Sequence, residues 1–284
     1  MLRKTSILLG CLCALSITLY AQYDGAPMEK PTEITSSSQI ETVQKQKYPH
    51  SDNDWENMYI LHRNRLQSAA TFHSFGSKKM AMDGDKTKAS NFLLLNGKWK
   101  FKYVDRYGIR PMDFYQENFD VTGWDDINVP ANWELEGFGY PFYVGSGFGF
   151  KRNPPLIPED NSPVGSYRRT FELPKEWNNK QIVLHFGSVA SAFYVWINGK
   201  EVGYAQDSKT PSEFDVTPYV REGLNSISVQ VFKFSDGYYL EDQDFWRLAG
   251  IQRDVYLYGR EKVHLRDFEV VTDEWCPLIG MDFS

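Results

Sequence analysis

Cysteine is scarce in this chain of 284 residues: only Cys11, Cys13 and Cys276 are present. The first two fall in MLRKTSILLGCLCALSITLYAQ, a stretch that reads as a secretory leader. Arg3 and Lys4 supply a positive start, Ile7–Leu19 is apolar but short for a membrane span, and Ala21 is a small residue before Gln22. Leu8-Leu9-Gly10-Cys11 has the outline of a lipoprotein box, but the residues after Cys11 stay apolar where a mature lipoprotein turns polar. Loss of residues 1–21 leaves Cys276 alone, so no internal disulfide is expected even in an oxidising compartment. Long apolar runs are otherwise missing, so the sequence predicts an exported protein, periplasmic or extracellular, with no membrane span after cleavage. Clustered basic residues are missing too. The formal charge is −6, and without Arg3 and Lys4 the remaining 29 basic residues against 37 acidic ones leave −8. A nucleic-acid partner would need a concentrated Lys/Arg footprint, so none is expected.

Ready-made catalytic signatures are also lacking. There is no G-x-S-x-G, HExxH, Walker loop or Rossmann glycine pattern. The five histidines, His50, His62, His73, His185 and His264, have no metal-ligand spacing, which favours solvated or core roles.

What the chain has is aromatic residues, 15% of the total, in short β-like runs. Residues 22–50 are polar and poor in large apolar groups, as in a linker or flexible arm. Residues 51–91 hold the stretch DWEN and a short helical possibility, as an extended N-terminal segment. From Asn91 the pattern changes. NFLLLNGKWKFKYV predicts a hairpin at Asn96-Gly97, and SAFYVWINGKEVGY predicts a second with a type I′ turn at Asn198-Gly199. SYRRTFELP, QIVLHFG and QRDVYLYG read as further strands. In NSISVQVFKF, Ile227, Val229 and Val231 alternate with Ser226, Ser228 and Gln230, as on a strand with one wet face. Short strands with turn signals predict an all-β jelly-roll sandwich over residues 92–260. VHLRDFEVVTD then starts a new strand set over residues 261–284, which predicts the truncated start of a second β-sandwich.

Two polar loops could carry chemistry. LEDQDFWR sets Glu241, Asp242 and Asp244 beside Phe245 and Trp246. A glycosidase needs two carboxyl groups across a sugar, and neighbours on one loop diverge too little for that. Residue types therefore favour a charged turn with Trp246 in the core and Arg247 pairing an acid. GYAQDSKTPSEFD, Gly203–Asp215, holds Asp207, Ser208, Lys209, Ser212 and Glu213. It could offer a carboxylate and hydroxyls to a sugar or cation. On residue types alone, a self-satisfied turn is favoured.

The blocks DWEN, LNGKWKF, VPANWELEGFGYPFY, NPPLIPEDNSPVGSYRRTF, GSVASAFYVWINGKEVGYAQDSKTPSEFD and SDGYYLEDQDFWRLAGIQRDVYLY occur in this order. Together they resemble the N-terminal sugar-binding jelly roll of glycoside hydrolase family 2 β-galactosidases, over roughly residues 51–273. The resemblance implies a galactose-binding-domain-like sandwich followed by immunoglobulin-like sandwiches and a catalytic barrel. It implies retaining hydrolysis of terminal β-D-galactose, with magnesium and in some members sodium, and both catalytic glutamates downstream of this chain. No catalytic residue is therefore expected here, and the chain alone is expected to be inactive. The family's QDS aspartate corresponds to Asp207, which implies a substrate-binding role and a sodium ligand. A Tyr-x-Asn position after the PFY block is here Gly145, which implies either a departure from galactose specificity or that a neighbour such as Ser146 or Lys151 substitutes for the asparagine. The tail WCPLIGMDFS departs from the family from Trp275 onward, as in a truncated or frame-shifted product. The implied partners are a β-galactoside, an oligomer or a separately encoded barrel chain. The other class of reading is a carbohydrate-binding module using Tyr238, Tyr239 and Phe148 as a sugar platform.

Overall fold

The computed structural model describes residues 53–145, 147–241 and 244–270. The leader at 1–21, the arm at 22–50, Ser146, Asp242, Cys276 and the tail from Trp275 lie outside the described residues. Among those described, no helix is long and apolar enough to cross a membrane.

Thirteen strands form the described domain: β1 (His62–Arg63), β2 (Phe92–Leu94), β3 (Gly97–Val104), β4 (Asp125–Val129), β5 (Val164–Leu173), β6 (Gln181–Phe186), β7 (Val189–Ala190), β8 (Ala192–Ile197), β9 (Lys200–Gln206), β10 (Ser212–Asp215), β11 (Gly223–Phe232), β12 (Gly250–Ile251) and β13 (Val255–Arg260). The only α-helix among the described residues, α1, is Lys78–Asp83, capped by Ser77 and ended by Gly84 at φ 69°. A seven-stranded sheet has the order β1-β9-β8-β11-β5-β3-β4, a four-stranded sheet β10-β6-β13-β2, and β12 pairs with β7. All pairings are antiparallel. The core lies between the two larger sheets. Trp99, Phe101, Tyr167, Ile227 and Val229 from one meet Leu184, Phe186, Phe214 and Leu257 from the other. This is the expected jelly-roll-type sandwich, driven by burial of one apolar face from each sheet.

The turn at Asn198-Gly199 is as expected. It joins β8 to β9 with φ 50° and 76°. Asn96-Gly97 is different. β2 pairs with β13 in the small sheet, whereas β3 pairs with β4 and β5 in the large one. The pair makes a corner between layers instead of a hairpin. Asn96 supplies the reason: its Nδ2 donates to Asp254 (2.8 Å) and its Oδ1 accepts from the Val255 amide (2.9 Å), while Arg169 donates to the Leu95 and Asn96 carbonyls (both 2.6 Å). These tertiary bonds replace the cross-turn ladder that a hairpin would provide.

β11 alternates as expected, but its polar face is dry. Ser226, Ser228 and Gln230 are all buried. Residues 105–124 cover that face. Arg110 donates to Gln230 (3.2 Å), Gln230 donates to the Pro111 carbonyl and Ser166 (each 3.0 Å), and Arg168 donates to the carbonyls of Phe114, Glu117 and Phe119. Gln230 and Arg168 are tolerated there because they find partners, whereas the buried Ser226 hydroxyl has none among the described residues.

The segment before β2 packs into the sandwich. Trp55 stacks on Phe232 at 4.2 Å, buried Asp54 takes both arms of Arg63 at 2.7 Å, and β1 extends the large sheet along β9. Residues 261–270 form no strand; the rest of the expected second sandwich lies outside the described residues.

Candidate functional site

β9 ends at Gln206 and β10 begins at Ser212, so GYAQDSKTPSEFD is the tail of one strand, a turn, and the start of another. Gly203 lies where the chain crowds. A Cβ there would sit 2.3 Å from the Arg63 carbonyl and 2.8 Å from the Phe214 ring. Two residues in this stretch are fixed from below. Gln206, buried, donates through Nε2 to Asp236 (2.6 Å) and Tyr204 (2.7 Å). Ser208, also buried, gives its amide and hydroxyl to the two carboxylate oxygens of Glu241 (2.8 and 2.5 Å), and its carbonyl accepts from Ser188 (2.5 Å).

Asp207 stands between these two anchors. It is exposed, and its backbone has φ 84°, a region that side-chain-bearing residues seldom occupy. Its own carboxylate helps hold that shape, accepting from Thr210 Oγ1 and from the Lys209 amide (3.4 Å). The buried anchors on either side, Gln206 and Ser208, are what allow this strained backbone to persist. Thus the turn reading describes much of this loop: Ser208 and Thr210 shape it, and Asp207 is left exposed on it.

Behind Asp207 lies a buried acid. Burial pushes Asp236 up to about 6, and the hydrogen bonds from Gln206 and Gly237 oppose that rise. Beside Asp207 is a cavity of about 230 Å³ whose lining includes Lys209, Glu241, Phe245 and Arg247. Burial pulls Lys209 below its ordinary value, with Glu241 opposing. Lys209 also donates to Gln252 (2.9 Å).

The second loop meets the same cavity through Arg247, whose Nη2 donates to the Gly145 carbonyl at 3.0 Å. Gly145 has φ 58°, and a Cβ there would meet nothing within 4 Å. Asparagine tolerates this backbone, so space and conformation both allow the amide that this sequence lacks. Lys151 is exposed on the following stretch.

Three residue expectations need correction. Trp246 is 56% exposed, resting against Tyr143 at 5.9 Å between ring centres, and Arg247 takes the inward position at 3% exposure. The guanidinium can be buried because carbonyl oxygens and the rings of Phe245 (5.1 Å) and Tyr238 (5.5 Å) receive it. The proposed sugar platform is not open. Tyr238 is 6% exposed and, like half-buried Phe148 and Tyr239, belongs to a satellite core with Ile157 and Phe234. Within LEDQDFWR, Glu241 holds Ser208 and Asp244 accepts from Tyr143. Neither Glu241's role as an anchor nor that of Gln206 had a periodic or motif signal, since both partners are distant in sequence.

Among the described residues, no group of three or more His, Cys, Asp or Glu side chains could hold a metal. Asp207 fits a sodium ion only as one hard oxygen ligand of several.

A family model described as "Glycosyl hydrolases family 2, sugar binding domain" matches residues 92–261. The β-galactosidase of Priestia megaterium is 41% identical over 227 residues, 78% of this chain and 22% of its own. That of Halalkalibacterium halodurans is 49% identical over 183 residues, 63% and 18% respectively. A solved β-glucuronidase from an uncultured Clostridium sp. is 27% identical with a TM-score of 0.47, over 60% of this chain and 29% of that one. The chain spans about a fifth of the length of the curated relatives it matches. With the matched segment coinciding with the sandwich and its Asp207 loop, the chain belongs to glycosyl hydrolase family 2, as a sugar-binding domain of that family.

Proposed function

We propose that this domain is the N-terminal, sugar-binding part of an exported β-galactosidase that removes terminal β-D-galactose with retention. Asp207 is its contribution to the substrate pocket, and the catalytic carboxyl groups come from a barrel beyond the described residues. The single observation that carries this reading is Asp207 itself: exposed, left-handed in backbone, and held on both sides by buried partners. A carboxylate so placed accepts hydrogen bonds from sugar hydroxyls and can give one oxygen to sodium. The surroundings support a pocket that is completed by another domain. Leu240 and Trp246, which adjoin the cavity-lining Glu241, Phe245 and Arg247 in sequence, are 87% and 56% exposed, apolar surface suited to being covered.

Retaining hydrolysis needs two carboxyl groups about 5 Å apart across the bond. On this reading the chain alone turns over no chromogenic β-galactoside. Mixed with a family 2 barrel chain whose own first domain has been removed, it restores turnover, and Asp207→Ala lowers that restored rate at least about 100-fold by loss of a charge-assisted contact in the pocket. Turnover by the purified chain alone, or restored turnover indifferent to Asp207→Ala, refutes the reading.

A further inference from the structure

A second concavity, about 450 Å³, runs over the outer face of the four-stranded sheet, and its lining shares Asp207 with the first cavity and adds Thr210 and Pro211 of the same loop. Its floor is aromatic and polar. His185, 6% exposed, stacks on Tyr256 at 4.2 Å and bonds Glu213 Oε1 at 2.9 Å, and Tyr258 donates to the same oxygen at 3.1 Å. Burial alone would raise the Glu213 carboxyl, but His185, Tyr258 and the charge of Arg260 together hold it below its usual range. Oε1 takes both bonds, and Glu213 is among the residues that line the groove. The walls are two extended segments tied to each other: the Ala70 amide donates to Asp267 (2.8 Å), and Phe72 meets Phe268 at 5.5 Å.

The rim is what identifies a ligand. Lys86, Arg260 and Arg266 all line the groove. Arg260 donates to the amide oxygen of Gln181 (2.9 Å) and Arg266 to the Gln67 carbonyl, and among the described residues neither has a carboxylate within ion-pair distance. Lys86 lies over the Tyr256 ring at 4.2 Å, with Asp254 no closer than 4.0 Å. In a chain of net charge −6, these three cations gather on one groove whose lining also carries the carboxylates of Glu213 and Asp207. A volume of this size holds one or two sugar rings. Tyrosine faces suit sugar C–H surfaces, the carboxylate oxygen suits hydroxyls, and guanidinium forks suit a carboxylate or sulfate.

We infer that this groove, whose lining also includes Asp207, binds an acidic saccharide, a sugar carrying a carboxylate or a sulfate ester, through Arg260 and Arg266. The purified chain is titrated calorimetrically with digalacturonic acid, galactose 6-sulfate, neutral galactose and inorganic sulfate. The acidic sugars bind with millimolar affinity or better, and the arm that binds tighter tells carboxylate from sulfate. Galactose and free sulfate each bind at least about tenfold more weakly, since each offers only half of the recognition. Arg260→Gln and Arg266→Gln each weaken the acidic sugar about tenfold, as the loss of one charged hydrogen bond does, with the melting temperature unchanged. Arg260→Lys keeps part of the affinity, and added salt weakens binding by screening. Affinity for galactose equal to that for the acidic sugars, affinity indifferent to both arginine variants, or no binding by any acidic sugar overturns the inference.

Discussion

Lys233 and Glu134 form an ion pair at 2.5 Å with side chains only 6% and 1% exposed. The pair ties the residue after β11 to the turn at Trp133–Glu136, and Lys233 lines the Asp207 cavity. The other carboxylate oxygen of Glu134 accepts the Ala249 amide at 3.1 Å. Removing one charge leaves the other buried and uncompensated, which costs about 3–5 kcal/mol. Lys233→Met should therefore destabilise the domain by about 4 kcal/mol, with the carboxylate keeping only its amide donor. Glu134→Leu should cost about 5 kcal/mol, because it strands the ammonium and also orphans the Ala249 N–H, itself worth about 1–3 kcal/mol. The double variant strands no charge, so about 2 kcal/mol is expected for the lone unpaired amide, far below the sum near 9 kcal/mol. Urea unfolding followed by tryptophan fluorescence measures this. With a slope of about 2 kcal/mol per molar, Lys233→Met moves the midpoint down by about 2 M, and the double variant by about 1 M. If the double variant instead loses the sum of the two singles within about 0.5 kcal/mol, the charges are not sharing one burial and the reasoning fails.

Three further outcomes follow from the Asp207 loop and its support. Asp207→Val should lower stability by about 1–2 kcal/mol because a branched side chain is strained at φ 84°, whereas Asp207→Asn and Asp207→Gly should stay within about 0.5 kcal/mol. Thermal melts compare the three, and equal melting temperatures for valine and asparagine would contradict the strain. Gly203→Ala should cost about 3 kcal/mol, since its Cβ would lie 2.3 Å from the Arg63 carbonyl and β1 would have to part from β9. Hydrogen exchange at His62 and Arg63 reports that parting, and unchanged protection there would argue against it. Asp236, raised by burial to about 6, holds its proton more tightly folded than unfolded. Its contribution therefore favours the fold below about pH 4 and is lost as pH rises through 6, by about 1–2 kcal/mol after allowance for water reaching the group. The difference in stability between the native chain and Asp236→Asn, measured from pH 4 to 8, should show that slope, and a flat difference would refute it.

Much of the fold is legible in the residue pattern. The strands at Gln181–Phe186, Gly223–Phe232 and Val255–Arg260 and the turn at Asn198-Gly199 follow from alternation and from the need for positive φ. These signals are local, and local physics sets them. Asn96-Gly97 carries the same turn signal, yet Asn96's bonds to Asp254 and Val255 send its flanking strands into different sheets. The partners lie 158 and 159 residues away, beyond any local pattern. Trp246 and Arg247 exchanged places for a similar reason: carbonyls and rings from other loops made burial of a cation affordable, and hydrophobicity alone does not foresee that.

The candidate site divides in the same way. Ordered sequence blocks, not single residue types, marked Asp207 and the family, because long motifs preserve a whole environment that a lone aspartate does not reveal. Residue chemistry read alone favoured an ordinary turn. The sequence by itself determined a β-sandwich, its principal strands and a polar loop of interest. Only the tertiary structure decided which face of β11 is dry, which of Trp246 and Arg247 is buried, how Gln206 and Glu241 hold Asp207, and where Lys86, Arg260 and Arg266 collect. Those outcomes depend on side chains brought together across long sequence separations, where burial and hydrogen-bond satisfaction outweigh local propensity.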